Sequence, residues 1–222
     1  MSNDDPFDFH EGDDENFVIK RYFSEIPPKW VRGSADYTLS YRAQCSPSFS
    51  LLMLEGDTVR KMIDDNGFVE YGGYHLYGEE KINQDELVEC YLVAIRGRMP
   101  YLRDLVFFFT QNKIYPLTSK YLLEFAIEYP DEIFTKRHSP VLAFGEYFLR
   151  RSFLRGNTQI WLNCIEYGGY YRNPGKCLVG LDPVSEKYGY FPEGTDKLEY
   201  RFLVTDKPLP TPVGEKLYFS WT

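Results

Sequence analysis

The sequence predicts an α+β fold: a mainly antiparallel sheet with a few short helices, one of them buried near residues 119–128. Three observations carry this. Strand-like segments dominate the second half of the chain, and short helical ones concentrate earlier. Tyr and Phe, 19 and 17 of the 222 residues, raise the aromatic share to 18%, and both favour pleated, half-buried positions. Leu122, Phe125, Ala126 and Tyr129 stand at i, i+3, i+4 and i+7, the period of a helix with one apolar face. With 43% hydrophobic residues, a chain of this length buries a substantial core, so residues 17–222 are expected to form a single domain, with a possible subdivision near 97–104.

The elements follow in order. Phe17 to Phe23 is an apolar-rich strand stopped by Pro27-Pro28. A strand is expected around Ser50 to Leu54. Asp57 is the expected N-cap of a short helix through Asp65, closed by Asn66-Gly67. Gly67 to Tyr77 resembles a hairpin turning at Gly72-Gly73, and Asn83 or Asp85 opens a further helical turn. Strands are expected at Glu89–Ile95 and, from the run Leu105-Val106-Phe107-Phe108-Phe109, at Leu105–Thr110, with a turn at Gly97 to Pro100 between them. The helix from Ser119 to Glu128 is capped by Thr118 or Ser119 and ended by Pro130. Strands then follow at Val141–Phe144, Tyr147–Leu154, Gln159–Tyr167, Lys176–Leu181, Leu198–Val204 and Leu217–Trp221.

The formal net charge is -8, and its distribution matters more than its size. Residues 1–16 hold Asp4, Asp5, Asp8, Glu11, Asp13, Asp14 and Glu15, with no Lys or Arg. Of the 33 acidic residues, 26 remain beyond that stretch, against 25 basic ones. The first sixteen residues are therefore expected to form a flexible acidic tail on a nearly neutral body. Charge of this sign repels phosphate backbones, so nucleic acid is not an expected partner. The start of the chain has no basic segment followed by an apolar run, as a secretory leader would. No stretch approaches the roughly 18 apolar residues of a membrane helix. Cys45, Cys90, Cys164 and Cys177 are widely spaced and read as reduced core thiols. These features point to a cytoplasmic protein with no membrane partner.

Local signatures of catalysis are missing. His10, His75 and His138 share no metal-binding spacing, and there is no P-loop, Gly-x-Ser-x-Gly elbow or dinucleotide fingerprint. No catalytic residue, metal or cofactor is assigned. A carboxylate pair assembled by the fold leaves no local trace, and Glu70, Glu166 and Asp182, beside aromatic turns, are its candidates. One echo stands out: Val69-Glu70-Tyr71-Gly72-Gly73-Tyr74 recurs as Ile165-Glu166-Tyr167-Gly168-Gly169-Tyr170. It reads either as two hairpins with the same turn chemistry or as two loops whose Tyr71, Tyr74, Tyr167 and Tyr170 grip a partner.

From Leu105 to Phe144 a hydrophobic strand runs into Ile114-Tyr115-Pro116-Leu117-Thr118-Ser119-Lys120. The apolar helix Tyr121-Leu122-Leu123-Glu124-Phe125-Ala126 follows, and then an extended segment from Ser139-Pro140-Val141. This order, with a Ser-x-Lys-like helix start after a buried strand, resembles immunity proteins of bacterial polymorphic toxin systems. The resemblance covers under a quarter of the chain. It implies a protein that neutralises a cognate toxin by forming a stoichiometric complex, with a basic protein surface as partner; the acidic tail and the Tyr-rich loops, read from the residues themselves, are the expected binding elements. The alternatives are an enzyme with a fold-assembled carboxylate site and a carbohydrate- or peptide-binding module using the Tyr-rich loops.

Overall fold

The structure, a computed structural model, describes residues 17–22, 42–71, 84–96, 102–134, 140–151, 158–167, 176–180, 184–185, 200–209 and 216–218. The strands are β1 (Phe17–Tyr22), β2 (Arg42–Cys45), β3 (Phe49–Met53), β4 (Val69–Tyr71), β5 (Glu86–Arg96), β6 (Tyr115–Pro116), β7 (Val141–Arg151), β8 (Thr158–Tyr167), β9 (Lys176–Gly180), β10 (Val184–Ser185), β11 (Tyr200–Thr205) and β12 (Lys216–Tyr218). The helices are α1 (Val59–Asp65), α2 (Leu102–Gln111), α3 (Ser119–Glu128) and α4 (Pro130–Phe134). The sheet runs β2-β5-β11-β7-β8-β9-β4. Among the described pairings only β11 with β7 and β4 with β9 are parallel, so the fold is α+β on a mainly antiparallel sheet. β5, before residues 97–104, pairs with β11 after them.

β11 is the strand on which the layers meet, and all six of its residues are buried. Leu203 joins the cluster formed with α1 and α3. Phe202 instead meets Phe109 of α2 and Phe144 of β7, at centroid distances of 5.5 and 5.9 Å. A strand covered on both faces needs a continuous apolar run rather than an alternating one, and Phe202-Leu203-Val204 supplies it. Arg201 is the charged exception. Its buried guanidinium donates to the Glu132 carbonyl of α4 at 2.5 Å.

Two irregularities shape the sheet. Between Cys45↔Val93 and Phe49↔Cys90, three residues oppose two, so β2 and β3 form one strand line interrupted by a bulge at Ser46-Pro47-Ser48. The Ser46 hydroxyl fills the gap in the ladder, accepting from Leu92 N at 2.8 Å while Ser46 N donates to Leu92 O. In β7 the register with β8 shifts between Ala143 and Phe148. Gly145 lies in that irregularity, donating from its N–H to Leu117 O at 2.9 Å. A Cβ there would stand 2.5 Å from Pro116 O and 2.6 Å from the Leu117 carbonyl carbon. Only glycine lets the β6 backbone come this close.

α3 occupies the residues its periodicity marks, with Leu122, Leu123, Phe125 and Ala126 buried. Thr118 is at the N-cap, but its side chain makes no cap bond. The buried Glu146 carboxylate, 27 residues later in β7, accepts from Ser119 N at 2.9 Å instead. α3 stops at Glu128, and Pro130 then opens α4, a favoured first helical position because its missing N–H would be unpaired anyway. In α1 the cap is Thr58 rather than Asp57. Thr58 Oγ1 accepts from Lys61 N at 3.1 Å, and Asp57 pairs with the Lys61 ammonium at 2.7 Å.

The strand expected at Leu105–Thr110 is helix α2. Five consecutive apolar residues fit either state, but Leu102, Leu105, Val106 and Phe109 also stand at i, i+3, i+4 and i+7. Among the described side chains of α2, Leu105 and Phe109, one turn apart, are the fully buried pair. The resemblance therefore loses its leading strand, and the chain enters Leu117 through the two-residue β6. Asp85 does not open a helical turn, because its carboxylate accepts from Glu55 N at 2.8 Å just ahead of β5. The segments expected as two strands around Val141–Leu154 form the single strand β7 as far as Arg151. Gly72-Gly73 and Gly97 to Pro100 lie outside the described residues.

Replacing Gly145 by Ala forces β6 away from β7 and disturbs the Glu146–Ser119 cap beside it. The expected loss is about 2–3 kcal/mol in urea unfolding with the slope unchanged. Parent-like stability of Gly145→Ala would show that the approach is not tight in solution.

Candidate interaction surface

The β3–β5 ribbon has two unlike faces. Its pairing runs from Phe49↔Cys90 to Met53↔Glu86. Leu51, Met53, Val88 and Cys90 point inward, where they join Val59, Met62 and Ile63 of α1 and Leu122 and Phe125 of α3 in one core cluster. Alternation sends Ser50, Leu52, Leu87 and Glu89 to the opposite face. A half-buried strand ordinarily places polar residues there. Here Leu52 and its cross-strand partner Leu87 are 45% and 72% exposed, and Leu54, just beyond β3, is 47% exposed. Exposed Glu55, Asp85 and Glu89 surround these leucines, and Lys207 approaches Glu89 at 3.8 Å.

The free side of β3 is partly closed. The Tyr129 hydroxyl donates to Ser50 O at 2.9 Å and accepts from Ser50 N at 3.4 Å. The ring of Tyr129 lies against Phe49 and Phe125, with centroids 4.9 and 5.4 Å away, so packing holds the hydroxyl at the edge.

Acidic side chains also gather at the helical end beneath the ribbon. Residues 45–68, 84–94 and 119–133 together carry 11 acidic and 3 basic residues. The body is near neutral as a whole, but this end of it is not. Arg60 and Lys61 are committed to Asp64 and Asp57. Glu124 and Glu128 follow one another at i, i+4 on α3, an arrangement in which like charges repel. Partial burial, and then the nearby carboxylates of Glu128 and Asp57, push the Glu124 carboxyl up to about 7. The structure thus brings together carboxylates that sequence reasoning did not single out. Glu124 and Glu128 share α3, but only the fold brings Asp57 beside them, so no local signal marks the group.

Of the residues expected to bind a partner, Asp4, Asp5, Asp8, Glu11, Asp13, Asp14, Glu15, Tyr74 and Tyr170 lie outside the described residues. Tyr71 ends β4 opposite Val179 of β9, and Tyr167 ends β8 opposite Lys176 of the same strand. The two halves of the echo therefore flank β9, one parallel to it and one antiparallel. Glu70 and Glu166 stand opposite Leu178 and Cys177, while Asp182 is outside the described residues. The sequence reading missed the leucine face; the signal that marks it is the run Leu51-Leu52-Met53-Leu54, which breaks the polar alternation of a half-exposed strand.

Cys90 is fully buried, and desolvation followed by the charge of Glu128 pushes its thiol up to about 12, so it is not a thiolate at neutral pH. Cys45 is exposed. Among the described residues, no three His, Cys, Asp or Glu side chains gather as a metal site, and no helix is long and apolar enough to cross a membrane. No protein-family model, curated protein or solved structure matches the chain.

Two outcomes follow from this chemistry. Glu124 releases its proton near 4.5 in the unfolded chain and about 7 in the folded one. The folded state therefore holds more protons between those values, and its stability falls as pH rises through that window. Glu124→Gln removes this slope and leaves the protein more stable at alkaline pH by on the order of 1 kcal/mol, allowing for solvent screening at a half-exposed site. Urea titrations on both sides of the window measure it, and an unchanged slope in the variant would refute the assignment. In the native protein iodoacetamide should alkylate Cys45 within minutes, whereas Cys90 should react only after unfolding. Peptide mass spectrometry separates the two sites.

Proposed function

We propose that this chain is a binding protein that neutralises a cognate toxin or effector by forming a stoichiometric complex. The observation that carries the reading is the leucine face of the β3–β5 ribbon set in an acidic surround. An apolar centre with a charged rim is how a protein surface combines affinity with selection of a partner by charge. The resemblance between residues 105 and 144 and immunity proteins supports a toxin as that partner, although α2 replaces its leading strand. An excess of acidic groups at one end of the body favours a basic surface. The seven acids of residues 1–16 have the same sign and would steer the same encounter over longer range.

The test is co-expression with the protein encoded beside it. A one-to-one complex by size exclusion with light scattering, together with relief of that protein's toxicity, is the expected result. Absence of both would overturn the reading. Within such a complex, removing residues 1–16 should slow association roughly tenfold at low salt and leave dissociation nearly unchanged. An unaltered on-rate would take the tail out of the mechanism.

A further inference from the structure

We infer that the outer face of the β3–β5 ribbon is the docking surface, and that its occupant is a basic protein surface with an apolar centre. This rests on the binding reading above and specifies where the partner sits.

Leu52 and Leu87 form a cross-strand pair on the solvent side and Leu54 extends it. Together they leave roughly 300 Å² of leucine surface in water, the size of the largest apolar patch on an ordinary monomer. A stable complex buries roughly 800 Å² on each partner. The leucines can form only the centre of such a contact, and what surrounds them decides who binds. Glu55, Asp85 and Glu89 are exposed there, and among the described residues Lys207 is the cation beside Glu89. A second copy of this chain would bring the same acids against themselves, so self-association on this face is opposed by like charge. A partner with lysines or arginines around an apolar centre meets no such penalty.

The mode of docking also follows. Ladder alternation turns the N–H and C=O groups of Ser50 and Leu52 away from β5. Tyr129 already holds both groups of Ser50, which leaves Leu52 as the one residue within β3 offering pairing groups on that side. A single residue does not template an added strand, so the partner lies on the face rather than along the edge.

The experiment uses the full chain with the variants Leu52→Ser/Leu87→Ser and Glu55→Lys/Glu89→Lys. The substituted side chains are exposed or face solvent, and thermal unfolding checks that each variant folds. Two probes are used: a synthetic two-faced helical peptide of Leu and Lys with its Leu and Glu counterpart, and the protein encoded beside this chain. Saturable one-to-one binding of the Leu–Lys peptide is expected, with no binding of the Leu–Glu peptide. Roughly thirtyfold weakening is expected in each double variant, the loss typical of removing central contacts. Binding that the substitutions leave unchanged, or a concentration-dependent dimer that the leucine substitutions dissolve, overturns the docking surface. If the neighbouring protein binds the parent and both variants equally, the surface is wrong and the binding reading stands. If the peptide behaves as expected and the neighbouring protein fails to bind, the surface stands and that partner is wrong.

Discussion

The Leu117 peptide is held from two sides at once. Its N–H donates to Leu203 O of β11, and its carbonyl accepts from Gly145 N of β7, both at 2.9 Å. This lodges β6 at the junction between two strands of the sheet, next to where they pair in parallel. It also fixes the point from which α3 starts, since Thr118 and Ser119 come next. Everything packed on α3 inherits that position. The contact requires a residue without a side chain at 145, and it falls where β7 departs from regular pairing with β8.

Buried polar groups reinforce the same junction. Glu146, adjacent to Gly145, supplies the acceptor that α3 lacks from its own Thr118. A carboxylate at a helix N-terminus is also favoured by the helix dipole. On β11, Arg201 reaches the Glu132 carbonyl of α4. The two helices following β6 are thus tied to the sheet by charged side chains as well as by apolar contact. Removing either partner would leave a buried group without its bond, which costs more than the bond itself contributes.

The electrostatic picture differs from the one that composition suggests. Beyond residue 16 the acids and bases nearly balance, yet the end of the body built from β3, β5, α1, α3 and α4 has a marked surplus of carboxylates. The raised Glu124 carboxyl is a local sign of that crowding. Crowding of like charge lowers stability, and it also attracts cationic partners over distances of about a Debye length. On the outer face of the ribbon, away from those helices, the exposed leucines lie beside Glu55, Asp85 and Glu89, and that combination distinguishes the face.

The sequence by itself determined the class of fold and the elements with one dominant period. α3 was legible because its apolar positions follow a helical repeat, and β8 and β11 because aromatic and β-branched residues are concentrated in them. α2 was misread, because a run of five apolar residues satisfies both repeats and only tertiary contact with Phe144 and Phe202 selects between them. The cap on Ser119, the bulge at Pro47 and the closure over Gly145 were beyond reach, since each joins residues far apart in the chain. The candidate site divides the same way. The run Leu51–Leu54 could be seen to break alternation, but its exposure, its pairing with Leu87 and its acidic surround depend on which strands became neighbours. That choice belongs to the tertiary structure, because cross-strand register places side chains together that the chain itself keeps more than thirty residues apart.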